Sequence, residues 1–188
     1  MSGVKNDLPP KTLPRAVVFD LDGTLVDSVP DLQAALNWLL PRFGRRTVSR
    51  DEVTGMVGDG VPKLVERGFL ATGGLPEDGL DGPIAEFTGH YEANAAALTA
   101  PFPGAVRALE VLRDAGCLLA VCTNKPAGAT AEILEALDLA PFFAAVAGGA
   151  LWKIVVITRA CYQQGFALPK MPRRGSGRRA SPARLGGL

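Results

Sequence analysis

The chain has 188 residues, of which 47% are apolar and 21% charged, with a formal net charge of +1. That length can bury a sizeable core, as one domain or as a core carrying a small insert, and the mix is that of a soluble globular protein rather than a fibrous or disordered one. No apolar run reaches the roughly 18 residues of a membrane helix, and the near-neutral total points to neither an acidic nor a basic partner.

Residues 1–14 are polar and proline-containing, and are expected to form a flexible lead-in without the apolar stretch of a signal peptide. Ala16-Val17-Val18-Phe19 is a short continuous apolar run, which predicts a strand buried on both faces of a parallel sheet. It leads directly into Asp20-Leu21-Asp22-Gly23-Thr24. Ser28-Val29-Pro30-Asp31 then reads as a helix start, with Ser28 as cap, a proline in the first turn and a carboxylate three residues after the cap. Leu32, Ala35, Leu36, Leu39 and Leu40 follow at helical spacing.

From residue 41 to about residue 98, helix-like stretches such as Pro62–Leu70 and Pro83–Ala97 alternate with Gly and Pro, and no comparable apolar strand intervenes. A helical insert is the simplest description. Beyond Pro101, Ala105, Val106, Leu109 and Leu112 mark one helix face that closes at Gly116. Leu118–Cys122 is a second strand-like run ending at Thr123-Asn124-Lys125. Thr130–Leu137 predicts a helix, and Phe143–Val146 a third strand ending at Gly148-Gly149. Alternation of this kind predicts an α/β fold with a parallel sheet, whose sites form beyond the carboxyl ends of the strands. Ile154–Thr158 is also strand-like, but the few residues after Val146 are too short for a parallel crossover of about a dozen.

The Asp-x-Asp-Gly-Thr segment carries the chemistry. Two carboxylates two residues apart at a strand end face one crevice, while Gly23 lets the chain turn and leaves backbone N–H groups free to face an anion. One carboxylate can attack a phosphoryl group, and the other can move protons to the leaving oxygen and from water. Two carboxylates repel a phosphate dianion, so a cation is required, and Mg²⁺ suits an all-oxygen site. A calcium loop fits poorly, because the further ligands of that pattern are missing.

The stretch Val17-Val18-Phe19-Asp20-Leu21-Asp22-Gly23-Thr24-Leu25-Val26-Asp27-Ser28 resembles the first motif of the haloacid dehalogenase superfamily, closest to its phosphoglycolate phosphatases. The resemblance implies Asp20 as nucleophile and magnesium ligand, and Asp22 as general acid/base that also binds magnesium through its backbone carbonyl. Gly23 and Thr24 complete the phosphate-facing turn. Val121-Cys122-Thr123-Asn124-Lys125-Pro126 resembles the second motif, implying that Thr123, with Asn124 beside it, holds the transferring phosphoryl group. The alternative is that Thr-Asn merely caps the next helix. Val57 to Arg67 is similar to the substrate-facing cap segment, so Lys63 and Arg67 are candidates for a substrate carboxylate, with solvated surface as the plainer reading. His90, the single histidine, is expected to be structural or exposed.

The likeness spans residues 15 to 149 and stops there. The family's third motif, a lysine in a Lys-Pro-x-Pro context, and its fourth, Gly-Asp-x-x-x-Asp, have no counterpart; Lys153 comes too early and lacks the flanking prolines. Up to Asp138 the chain holds 12 Lys and Arg against all 19 acids, a balance of −7, and from Leu139 onward 8 basic residues and no acid, +8. This composition, ending in Arg, Gly, Ser and Pro, leads to the expectation of a shifted reading frame after about Gly149 and a disordered tail. A nucleic-acid-binding extension is not favoured, because aromatics are missing after Phe166. Cys117, Cys122 and Cys161 show neither paired nor metal-ligand spacing and are expected to be reduced thiols in a cytoplasmic protein.

The sequence therefore predicts an α/β protein with a Rossmann-like parallel sheet core (15–28 plus 99–149), incomplete at its carboxyl end. A small helical cap (29–98) is inserted in it, and an atypical basic tail (150–188) follows. The expected activity is Mg²⁺-dependent hydrolysis of a small phosphate monoester, 2-phosphoglycolate first, through an aspartyl-phosphate. A sugar-phosphate phosphatase or phosphomutase, and an inactive fragment or pseudoenzyme, are the alternatives. The partner is a small phosphate ester rather than a membrane or nucleic acid, and the sequence does not fix the oligomeric state.

Overall fold

The computed structural model describes residues 14–149. Five expectations lie outside that range: the lead-in before Pro14, the strand-like Ile154–Thr158, Lys153, Cys161 and the basic tail.

Among the described residues, three parallel strands form the main sheet in the order β1 (Ala16–Phe19), β4 (Leu118–Thr123), β5 (Ala145–Gly148). The register places Phe19 beside Val121, and Thr123 beside Gly148, so the strands end at one level. The predicted β5 begins two residues later than the apolar run suggested, because Ala140–Phe142 forms a 3-10 turn that carries Phe142 and Phe143 against the core. The α/β parallel-sheet expectation holds.

Between β1 and β4 the chain makes a long excursion. It leaves through β2 (Val26–Asp27) and returns through β3 (Ala100–Pro101), and these two short strands pair antiparallel. The helices between them are α1 (Val29–Leu39), α2 (Arg50–Thr54), α3 (Val61–Thr72) and α4 (Asp81–Glu92). The excursion contains no strand other than these among the described residues, as its sequence texture predicted. Leu36, Leu39, Leu40, Val65, Phe69, Phe87 and Tyr91 are buried and make its apolar centre, with Phe43 and Phe69 in edge contact.

The start of α1 departs from the predicted cap. Ser28 makes no side-chain cap bond, although Pro30 does occupy the first turn. Its hydroxyl instead donates to Asp22 Oδ1 at 2.5 Å. Asp31 likewise does not reach back to the helix start. Its carboxylate accepts from the Leu98 and Thr99 N–H groups and the Thr99 hydroxyl at 2.7–3.0 Å. Charge-assisted bonds to three donors outweigh one local cap, so tertiary partners claim both residues. A capping box does form in the insert, where Ser49 and Glu52 open α2.

The return path is α5 (Ala105–Asp114), β4, α6 (Ala127–Ala136), then β5. Helix α5 stops before Gly116 as predicted, and α6 begins three residues earlier than expected, straight after Pro126. The two crossovers move the same way across the sheet. Right-handed connections then put both helices on one face, the face of Leu119 and Val121, which are buried along with Leu109, Ile133 and Leu134.

The opposite face corrects one expectation. Strand β1 is not buried on both sides: Val18 is 42% exposed, and Leu118 on β4 is 61% exposed. Nothing among the described residues covers that face. Cys117 and Cys122 are free thiols, as expected, and no described helix is long and apolar enough to cross a membrane.

Candidate active site

The site forms where β1 and β4 end side by side. The chain leaves β1 at Asp20, and the turn that follows is tied by Gly23 N–H and Val26 N–H donating to Val26 and Leu21 carbonyls. Gly23 adopts φ +75°, a left-handed conformation that disfavours any side chain there. This tight turn carries Asp20 and Asp22 to the sheet's end while Leu21 and Leu25 anchor it in the core.

A cleft of about 430 Å³ opens there, lined on the sheet side by Asp20, Asp22, Thr123, Asn124 and Lys125. Leu32, Val57, Val61, Leu64 and Tyr91, all from the helical excursion, supply an apolar wall facing them. The excursion also touches the sheet loops directly: the Asn124 side-chain amide donates to the Gly58 carbonyl at 3.0 Å.

Each predicted residue has a definite place. Asp20 is exposed, and one carboxylate oxygen accepts from Leu21 N–H at 2.7 Å. Asp22 is half-buried, and its Oδ1 accepts from both Ser28 and Lys125. Thr123 is buried at the end of β4, where its hydroxyl accepts from Lys125 N–H at 3.3 Å. Gly23 and Thr24 are exposed in the turn but do not line the cleft.

Neither Lys63 nor Arg67 lines the cleft. Lys63 pairs with Glu66 at 2.6 Å on the outer face of α3. Arg67 is held by Asp59 and the Met56 carbonyl. Helical phase turns Val61 and Leu64 toward the cleft and so leaves the charged positions outside it. His90 stacks on Trp38 at the surface, 4.1 Å between ring centroids, a structural position as expected.

Two site residues escaped the sequence reading. Lys125 is 4% exposed, with its ammonium 2.8 Å from Asp22 Oδ1 and 4.8 Å from the centroid of the Tyr91 ring. Burial lowers its pKa from the ordinary lysine value, opposed by the nearby charges and hydrogen bond of Asp22 and by Asp31 and Asp20. Its own carbonyl accepts from Gly149 N–H at 2.7 Å, so the end of β5 steadies the loop that carries it. Tyr91 is 1% exposed, and its hydroxyl has no hydrogen-bond partner among the described residues. Burial and the charges of Asp22 and Asp31 push its ionisation upward, so it remains a donor. A signal for Lys125 was present: it is the one basic residue between Arg113 and Lys153, set in an otherwise uncharged strand end. Nothing in the pattern of α4 marked Tyr91.

The donor set meets the needs of Mg²⁺ only in part. Among the described residues no three His, Cys, Asp or Glu side chains gather into a metal site. Mg²⁺ often binds through one or two carboxylates, several waters and the substrate phosphate, and the exposed Asp20 carboxylate fits that manner of binding.

Comparison with known proteins agrees with this picture. A family profile described as haloacid dehalogenase-like hydrolase matches residues 14–151. The phosphoglycolate phosphatase of Cereibacter sphaeroides (strain ATCC 17029 / ATH 2.4.9) is 44% identical over 134 residues, covering 71% of this chain and 62% of that protein. That of Caulobacter vibrioides is 45% identical over 137 residues, covering 72% and 57%. Among solved structures, a predicted phosphoglycolate phosphatase from Haemophilus somnus 129pt superposes with a TM-score of 0.67 at 31% identity, covering 72% of this chain and 63% of that one. The chain thus spans less than two thirds of the length of these relatives.

Proposed function

The chain belongs to the haloacid dehalogenase-like hydrolase family, and from that premise we propose that it is built to hydrolyse a small phosphate monoester, 2-phosphoglycolate first, through an aspartyl-phosphate. The observation that carries this reading is the convergence of Asp20, Asp22 and Thr123 in one cleft at the ends of adjacent parallel strands. The names of the relatives favour 2-phosphoglycolate over a sugar phosphate.

In this reading Asp20 is the nucleophile. Its carboxylate oxygen attacks phosphorus, the bond to the leaving oxygen breaks, and Asp22 gives that oxygen its proton. Water then attacks the aspartyl-phosphate, Asp22 takes the water proton, phosphate leaves and Asp20 is restored. Thr123 donates its hydroxyl to the phosphoryl oxygens, with Asn124 beside it; Gly23 and Thr24 shape the turn below. Ser28 and Lys125 hold the Asp22 carboxylate in place. The helical segment 29–98 acts as a cap over a core made of 15–28 and 99–149, excluding water from the cleft.

Magnesium is the cation we assign. The Asp20 carboxylate and the Asp22 backbone carbonyl would hold it, and when bound it would neutralise the phosphate charge facing two carboxylates. The setting is cytoplasmic, with reduced thiols.

The test is phosphate release from 2-phosphoglycolate with Mg²⁺. Release is expected from the wild-type chain and is lost in Asp20→Asn; equal release from both would overturn the reading. The rate should fall well below the ordinary enzyme median of about 10 s⁻¹, because only two carboxylates among the described residues belong to the site.

A further inference from the structure

We propose that Tyr91 and Lys125 form the recognition pair for a carboxylate on the leaving group of the substrate, the Lys125 ammonium taking its charge and the Tyr91 hydroxyl donating to one of its oxygens. This rests on the phosphatase reading above and adds which residues choose the ester.

The first support is an unmet hydrogen bond. Tyr91 is almost wholly out of solvent, lines the cleft, and ends in a hydroxyl that has no hydrogen-bond partner among the described residues. A buried polar group left unpaired costs about 1–3 kcal/mol. An acceptor atom on a bound molecule recovers that cost, and burial together with the charges of Asp22 and Asp31 keeps the hydroxyl protonated for the purpose.

The second support is the position of the charge. Lys125 is hydrogen-bonded to Asp22, the residue assigned to the leaving oxygen, and not to Asp20, the residue assigned to phosphorus. A cation at that place stands next to the organic part of the ester rather than the transferring phosphoryl group. Its ammonium has three donors; one goes to Asp22 Oδ1, and the Tyr91 ring covers another side. A carboxylate entering here meets both groups at once.

The third support is what surrounds the pair. Leu32, Val57, Val61 and Leu64 supply the other side chains of this wall, with Gly58 and Gly60 between them, so it offers a polyhydroxylated sugar no further side-chain hydrogen-bond partners. A short ester bearing one acidic group fits, its carboxylate on Lys125 and Tyr91 and its carbon chain against the apolar side chains. Lys63 and Arg67, which the sequence singled out for this task, are engaged elsewhere.

The experiment is calorimetric binding in the Asp20→Asn background, with Mg²⁺ in every arm, of 2-phosphoglycolate and of ethyl phosphate, which lacks the carboxylate. The unsubstituted pair should favour 2-phosphoglycolate by about tenfold or more, since a site built around an ionic hydrogen bond discriminates strongly against a ligand without it. Tyr91→Phe keeps the buried ring and removes only the hydroxyl. It should cut that preference to about threefold or less while changing ethyl phosphate affinity by less than about twofold. Lys125→Met should abolish the preference, and Lys125→Arg should keep part of it. An unchanged preference in Tyr91→Phe, or an equal fall for both esters, would overturn the proposal. Equal binding of both esters before substitution would overturn it too, yet leave the phosphatase reading standing. Failure of both esters to bind, there and in the chain that keeps Asp20, would overturn the two together.

Discussion

The Lys125 ammonium lies 2.8 Å from Asp22 Oδ1 although the two residues are 103 positions apart in the chain. With Ser28 donating to the same oxygen, Asp22 has two donors fixing one of its oxygens. The other oxygen is left for the proton transfers proposed for Asp22. The pair joins the turn after β1 to the loop after β4, so the site's geometry depends on the sheet register that aligns these strands.

Lys125 makes the site pH-sensitive on the alkaline side. Burial lowers its pKa below the ordinary 10.5, against the opposing pull of Asp22, Asp31 and Asp20. As pH rises the ammonium is therefore lost earlier than that of an exposed lysine. In the window between its folded value and 10.5 the unfolded chain holds more protons, so this group's contribution to stability rises with pH there. Anion affinity should move the opposite way and fall in the same window. Titrating 2-phosphoglycolate binding from neutral pH upward checks this; Lys125→Arg, which stays charged, should show no such fall.

Asp31 is a structural carboxylate that ties α1 to the chain returning at Leu98 and Thr99. It is 4% exposed. Asp31→Ala strands buried donors and should lower stability by about 3 kcal/mol or more, while Asp31→Asn, which keeps an acceptor oxygen, should lower it less. Urea denaturation curves measure both.

The capping box of α2 should be worth about 1 kcal/mol, read as the loss in Ser49→Ala. Its Glu52 carboxyl is held down to about 2 by the hydrogen bond from Arg46, helped by the Ser49 N–H. A lowered folded pKa contributes stability above the ordinary 4.5 that is lost as pH falls from there through about 2. Glu52→Gln should flatten that part of the acid limb in a melting-temperature scan.

Gly148 is packed too closely for a side chain. A Cβ there would meet Thr130 Oγ1 at 3.1 Å, and Ala127 Cα and the Lys125 carbonyl at 3.2 Å. Two of these are backbone atoms, so Gly148→Ala must displace β5 or the Lys125 loop. The expected cost is about 1–3 kcal/mol, with weaker 2-phosphoglycolate binding from the shifted ammonium. Combined melting and 2-phosphoglycolate titration would show both losses.

The open sheet face should drive self-association. Leu118, opposite Ala16, and Val18, opposite Ala120, are both exposed on it, and such apolar patches promote aggregation. Leu118→Ser should reduce light scattering on concentration while changing stability by about 0.5 kcal/mol or less, as surface substitutions do.

Much of this was legible in the residues themselves. Strands β1, β4 and β5, helices α1, α3, α4, α5 and α6 and the absence of strands inside the insert followed from apolar runs, periodicity and Gly/Pro punctuation, whereas the short α2 did not. Asp20, Asp22 and Thr123 were legible because each sits just past a strand-like run, where an α/β sheet places its site. Ser28 and Asp31 were misread as a cap pair. Their local spacing was right, but distant donors and acceptors bound them more strongly. Lys63 and Arg67 stayed open between substrate contact and solvated surface, because a sequence shows that a charge lies on a helix but not what that face meets.

The sequence by itself determined the parallel α/β layout, the two carboxylates and the strand-end hydroxyl, since these depend on residue type and near-neighbour spacing. Only the tertiary structure decided that Lys125, not Lys63 or Arg67, is the cation of the cleft, and that Tyr91 closes it. The physical reason is burial. A lysine two residues past a strand end is ordinarily solvated, and it becomes part of a site only when the insert folds over it and Asp22, brought from the far end of another strand, compensates its charge.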